Sequence, residues 1–260
     1  MKVLLIGSGG REHAIAYSLK KSPYVSELYA DLFDYAKLPE GAKALEIGIG
    51  CGQATYPILE SGADVLAIDK NADFLAVSAE KFAENANFKA DAVKFEDLEA
   101  DAESFDLIYS ATAFHEIPTA EGYKKAYDLL KKGGVFARFA NHPFKDPAKN
   151  AMGAALQTLY NVYMPSGAAY FRPYSDARAK ARAELAEKFG FTDVTYKRYY
   201  RIRTYTAEDY VAYLRTDADY LEMEEGRREK FFHELVKLIK RFGGTIRIVD
   251  TMELQLARKQ

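Results

Sequence analysis

The chain has 260 residues, of which 48% are hydrophobic and 28% charged, the balance of a folded domain with a substantial core. Its 36 Lys and Arg against 38 Asp and Glu leave a net charge of −2, which removes the electrostatic case for nucleic acid or an anionic membrane as partner. The single cysteine, Cys51, excludes an intramolecular disulfide and a multi-cysteine metal cluster.

No apolar run approaches the roughly 20 residues of a membrane span. The first residues lack the long apolar core and small-residue cleavage site of a signal peptide. A reducing cytoplasm is the expected compartment.

Strand-like and helix-like segments alternate along the chain, the pattern of a parallel sheet covered by helices. Val3–Ile6 is a short apolar run ending in GSGG, and Arg11–Lys21 reads as a helix closed by Ser22 and Pro23. Glu27–Leu38 is a second helix, and Pro39, Glu40 and Gly41 form a turn. Ala42–Ile47 is a buried strand followed by glycines and a helix from about Gln53. Asp64–Ile68 is the next strand and Asn71–Asn85 the helix after it. Asn87–Ala90 and Phe105–Ser110 are further strands, and Tyr123–Leu130 is a helix. Lys132, Gly133 and Gly134 then turn into a fifth strand, Val135–Ala140.

The pattern changes after Asn141. Residues 141–175 carry Pro143, Pro147, Pro165 and Pro173 around a helical stretch, which reads as an inserted cap. A helix over Asp176–Phe189 ends at Gly190. Val194–Thr204 and Thr245–Ala257 are long strands, the second with Ile246, Ile248, Met252, Leu254 and Leu256 on one face at period two. That alternation suits an antiparallel strand near a sheet edge. Between them lie helices over Ala207–Leu214 and Glu224–Phe242, a second cap segment at about 206–243. The run KRYYRIR, Lys197–Arg203, reads as an edge strand with a polar face, with a local basic patch for RNA as the alternative reading.

Chemistry concentrates at the first core strand. Gly48, Gly50 and Gly52 follow it, and glycines permit positive φ and close approach of a ligand. Asp69 ends the next strand, 21 positions after Gly48, where a carboxylate accepts hydrogen bonds from a ribose diol. These two features suit a nicotinamide dinucleotide or S-adenosylmethionine (SAM) equally. Glu46, two residues before the first glycine, separates them: an acid there repels a pyrophosphate and attracts the cationic methionine portion of SAM.

At this point the chain resembles a known family. ALEIGIGCGQAT (Ala44–Thr55), AIDKN (Ala67–Asn71), KADAVKFE (Lys89–Glu96), FDLIYSATAFHEI (Phe105–Ile117) and YDLLKKGGVF (Tyr127–Phe136) resemble, in order, the motifs of class I SAM-dependent methyltransferases of the small-molecule type. The resemblance runs from about residue 26 to the C-terminus. It implies an α/β, Rossmann-like sheet of seven strands with an antiparallel last strand, helices on both faces and a helical cap inserted after strand five. It further implies cofactor contacts at Glu46, Gly48, Ile49, Gly50, Gln53, Asp69, Lys70, Asp91, Ala92, Ser110 and Ala111, with Asp69 on the ribose and Asp91 on the adenine amino group. The implied partner is a small-molecule methyl acceptor.

Methyl transfer from a sulfonium mainly needs an acceptor placed in line, and a base if the acceptor carries a proton. His115, after the fourth strand, and His142, after the fifth, are the candidate bases; for each, packing is the plainer reading. Tyr160, Tyr163, Tyr170 and Arg172 of the cap are candidate acceptor contacts, with core packing the plainer reading for any one tyrosine. No His, Cys, Asp or Glu set shows metal spacing.

Residues 1–23 are different. MKVLLIGSGGREHAIAYSLKKSP is similar to the N-terminus of phosphoribosylamine–glycine ligase. Residues 1–25 then form a ligase-like strand–turn–helix appendage or partial lid, as in a fusion or chimera. No ligase activity follows, because one strand and one helix do not make that enzyme's nucleotide domain. A SAM-binding protein without catalysis and an NAD-linked oxidoreductase are the competing readings.

Overall fold

The computed structural model describes residues 23–145, 151–164, 174–216 and 218–260. The segment 1–22, which holds the glycine turn and all but the last three residues of the ligase-like appendage, lies outside the described residues.

Helix α1 (Pro23–Ala36) leads into β1 (Lys43–Ile47), α2 (Thr55–Glu60), β2 (Asp64–Ile68), α3 (Ala72–Lys81), β3 (Phe88–Asp91) and β4 (Phe105–Ala111). Helix α4 (Thr119–Leu129), β5 (Leu130–Lys145), α5 (Ala151–Tyr163), α6 (Asp176–Glu184) and β6 (Thr192–Thr206) follow. Helices α7 (Ala207–Leu214), α8 (Ala218–Leu221) and α9 (Glu225–Arg241) precede the last strand, β7 (Thr245–Arg258).

The seven strands form one sheet in the order β3-β2-β1-β4-β5-β7-β6. Pairs β1–β2, β1–β4, β2–β3 and β4–β5 are parallel. The start of β5 meets the end of β7, with Gly133 N donating to Lys259 O at 2.8 Å and Lys259 N to Gly134 O at 3.0 Å, so β7 runs antiparallel. It lies one strand in from the edge, and β6 takes the edge itself.

Two compact units partition the described chain. The sheet unit holds residues 23–141, 175–199 and 252–260; the second unit holds 142–145, 151–164, 174, 200–216 and 218–251. In the sheet unit the faces alternate with the pleat. Ala44, Leu107 and Tyr109 join Leu28, Leu32, Ile58 and Val135 on one face. Leu45, Ile47, Ile108 and Phe136 join Tyr123, Leu129 and Phe191 on the other. The second unit has its own core, where Tyr160, Tyr210, Phe231, Leu235, Ile246 and Ile248 pack together.

Both ends of the fifth strand differ from the sequence reading. The glycines at 133 and 134 do not precede the fifth strand; they lie inside β5, which begins at Leu130. Phe105 pairs with Leu130 but Leu107 with Val135, so KKGG is accommodated as a bulge, with Gly133 at φ +77°. Strand β5 also runs on to Lys145, which places His142 within the strand rather than after it.

Candidate functional site

The glycine loop lies at the carboxyl ends of β1 and β2, where open parallel sheets bind ligands. Gly48 and Ile49 both donate to Ile68 O, at 2.9 and 3.1 Å, which ties the loop to the end of β2. Gly48 has φ +73°, and a Cβ there would sit 2.3 Å from the Ala113 Cβ. This position needs glycine twice over, for its backbone angle and for its contact. Ile49 is buried.

Asp69, half-buried, binds the loop. Its Oδ2 accepts from Gly50 N at 3.0 Å and its Oδ1 from Asn71 N at 2.8 Å. Each carboxylate oxygen retains a second lone pair, so the acid can serve the loop and a diol together. Its neighbour Lys70 pairs with Glu116 at 2.6 Å, both well exposed. Asp91 and Ala92 are exposed at the end of β3, and Asp91 O accepts from Asp69 N at 3.3 Å. Ser110 is buried and donates to Ile47 O at 2.9 Å; Ala111, half-buried, ends β4.

Glu46 is fully buried. Its Oε2 accepts from Thr55 Oγ1 at 2.6 Å and from Tyr109 OH at 2.9 Å. Its Oε1 is buried with no hydrogen-bond partner, as is Nε2 of the loop residue Gln53. Burial pushes the Glu46 carboxyl up to about 7; the Thr55 and Tyr109 hydrogen bonds and the Lys81 charge oppose this, and Asp69 adds to it. The acid is therefore closed off from solvent. It lies inside, half satisfied.

His115 is exposed in a 3-10 turn, Phe114–Glu116, just beyond β4. His142 is stacked on Tyr174, ring centroids 3.7 Å apart and planes within 6°, so its ring is held as a packing surface. Tyr160 is a correction to its candidacy as an acceptor contact. It is wholly buried in the second unit's core, its hydroxyl 3.1 Å from that of Tyr220 and its ring edge-on to Phe231. Tyr163 is half-buried, with its ring 5.5 Å from Phe231. Tyr170 and Arg172 lie outside the described residues.

Three residues inside the quoted motifs receive no role from the sequence. Thr55 and Tyr109 hold Glu46, and Thr112, directly after β4, takes φ +60°, an uncommon angle for a β-branched residue. Tyr109 could have been found by parity, because β1 and β4 pair with Glu46 opposite Tyr109. Among the described residues no group of three or more His, Cys, Asp or Glu is placed to hold a metal ion. No helix there is long and apolar enough to cross a membrane.

Comparison with known proteins agrees with this geometry. Residues 45–136 match the methyltransferase domain family. Residues 1–47 match the phosphoribosylglycinamide synthetase N domain, which extends the ligase likeness from residue 23 through α1 and into β1. Erythromycin 3''-O-methyltransferase of Saccharopolyspora erythraea is 32% identical over 119 residues, 43% of this chain and 38% of that protein. Phosphoribosylamine–glycine ligase of Agrobacterium fabrum is 67% identical over 30 residues, 12% of this chain and 7% of that enzyme. The chain thus spans well under two thirds of either relative. Among solved structures, phosphoethanolamine N-methyltransferase 2 of Haemonchus contortus, in complex with S-adenosyl-L-methionine, superposes with a TM-score of 0.53 at 16% identity, covering 97% of this chain and 57% of that one. At that identity the likeness speaks for the fold. The strand order, the glycine loop and the family match agree: residues 45–136 of this chain match a methyltransferase domain and stand in a sheet of the order that domain requires.

Proposed function

We propose that the chain transfers a methyl group from SAM to a small-molecule acceptor by in-line displacement. The observation that carries this reading is the unpaired oxygen of Glu46, buried beside the glycine loop. A buried carboxylate oxygen without a donor is costly, and an ammonium group is the ligand chemistry that relieves it. Gln53, whose buried Nε2 lacks an acceptor, suits the carboxylate of the same amino-acid moiety. Asp69, with a lone pair left on each oxygen, suits the ribose diol. The residues present fit SAM, whose sulfonium supplies an activated methyl group when bound.

The protein's own part is binding and orientation. Glu46, Gln53 and Asp69 fix the donor; Asp91 and Ala92, exposed at the end of β3, stand on the adenine side. His115, exposed just past β4, takes the role of base when the acceptor must lose a proton. His142, stacked on Tyr174, is the poorer choice.

Thermal-shift measurements with SAM, S-adenosylhomocysteine and NAD test the reading. Stabilisation by the first two and not by NAD is the expected result. Stabilisation by NAD alone would exclude it. Stabilisation by both sulfur compounds, with no methyl transfer across an acceptor panel, would leave a binding protein in place of an enzyme.

A further inference from the structure

The loop has a second set of partners that no motif announces. Ser78 Oγ, fully buried, donates to Gly50 O at 2.6 Å. Lys81 Nζ donates to Cys51 O at 3.1 Å and to Gly52 O at 3.0 Å. Three consecutive loop carbonyls are therefore held by two side chains three positions apart on α3, which share one helix face.

The other end of the same helix holds the loop from the opposite side. Asn71 caps α3, its Oδ1 accepting from Asp73 N at 2.9 Å and Phe74 N at 3.3 Å. Asn71 N donates to Asp69, and Asp69 accepts from Gly50 N. Both the N–H and the C=O of Gly50 are thus fixed through α3, one at each end, in a closed circuit. With Gly50 at φ +54° and Gly52 at φ +71°, the glycines have little conformational preference of their own. The circuit supplies what their sequence lacks.

We propose that Ser78 and Lys81 are positioning residues for the donor-binding loop: they set its conformation before the donor arrives, so that the donor does not meet the cost of ordering it. This rests on the reading of the loop as a SAM site. A solely structural role predicts that their loss lowers stability and leaves donor affinity alone. A positioning role predicts that affinity falls beyond any change in stability.

The test is calorimetric titration with S-adenosylhomocysteine of Ser78→Ala, Lys81→Met and Lys81→Arg, with amide hydrogen exchange of Gly50–Gln53 in the ligand-free proteins. Charge-assisted hydrogen bonds of this kind correspond to about a tenfold change in an equilibrium constant. Lys81→Met should bind about tenfold more weakly and Ser78→Ala several-fold more weakly. Lys81→Arg, which keeps the donors, should recover most of the loss. Loop amides should exchange faster in Lys81→Met. Affinity within about twofold of the unsubstituted protein in both Ser78→Ala and Lys81→Met, with both folded, would overturn the proposal. If the unsubstituted, folded protein binds no S-adenosylhomocysteine, the SAM reading falls, and the exchange data then judge the clamp alone: faster exchange supports it and unchanged exchange overturns it.

Discussion

Replacing Glu46 with glutamine separates the acid's cost to the fold from its use in binding. Burial raises this carboxyl from its usual 4.5 to about 7, against the hydrogen bonds from Thr55 and Tyr109. Between those two pH values the folded protein keeps a proton that the unfolded chain has released. Stability from this group is therefore complete below about 4.5 and lost as pH rises through 7. At about 1.4 kcal/mol for each pH unit, the loss is about 3 kcal/mol. A glutamine does not titrate. It keeps an oxygen for Thr55 and Tyr109 and puts an amide where the unpaired oxygen lies, at a cost of about 1–3 kcal/mol that is the same at every pH. The stability difference, variant minus unsubstituted, should then rise by about 3 kcal/mol from pH 4.5 to 8 in urea unfolding. A difference flat across that range would refute the argument. Binding should move oppositely. If a donor ammonium pairs with Oε1, S-adenosylhomocysteine affinity should rise several-fold between pH 6 and 8 in the unsubstituted protein and be weak at all pH values in the variant.

Three further substitutions probe separate features. Gly48→Ala combines a positive φ with a Cβ 2.3 Å from Ala113; a destabilisation of at least about 2 kcal/mol in urea unfolding is expected. Thr112→Gly removes a β-branched residue from φ +60° and should stabilise the protein by about 1 kcal/mol; an unchanged or lowered midpoint would show that the angle carries no strain. Asp250 is fully buried in the second unit and accepts from Arg201 at 2.9 Å and from Arg203 at 2.6 Å. Asp250→Ala leaves two largely buried guanidiniums facing each other and should cost about 3–5 kcal/mol, read as a lowered denaturant midpoint.

The parts of the site legible in the sequence are those that depend on local chain geometry. Gly48 and Asp69 stand at strand ends, and strand ends follow from apolar runs and turn residues. Glu46 was visible as an acid before the glycines, but its inward orientation depends on Thr55 and Tyr109, nine and 63 positions away. Ser78 and Lys81 look like ordinary helix residues until the helix is folded against the loop. Tyr160 shows the same limit from the other side. A tyrosine in an apolar helix suits a ligand pocket or, more plainly, a core; what decides is whether its hydroxyl finds a partner. Tyr210 and Tyr220, 50 and 60 residues on, provide it. The KKGG run reads as a turn because its glycines favour one, and only the register of β4 against β5 shows the bulge.

The ligase-like match ends at residue 47, so sequence of that kinship runs through α1 and β1 of the sheet unit. Leu28 and Leu32 of α1 are buried in the sheet unit. Tyr29 reaches furthest: its hydroxyl donates to Ala54 O at 3.1 Å, directly after the glycine loop, and its ring lies edge-on to Phe139 at 5.8 Å. Burial, with Glu46 nearby, raises its hydroxyl well above the ordinary tyrosine range, so it donates at every working pH. Two truncations divide these contributions. Tyr29→Phe keeps the ring and leaves the Ala54 carbonyl without this donor, for a cost of about 1–2 kcal/mol. Tyr29→Ala also removes the ring from the core, for about 3–5 kcal/mol. If α1 only fills space, Tyr29→Phe should bind S-adenosylhomocysteine as the unsubstituted protein does. If the hydroxyl anchors the end of the loop, Tyr29→Phe should lose several-fold in affinity while keeping most of its stability. The second outcome is expected, since Ala54 precedes Thr55, whose side chain bonds Glu46, and a shift of one is felt by the other. Equal affinity in the two proteins would reduce α1 to packing and leave the donor site to the residues that follow it.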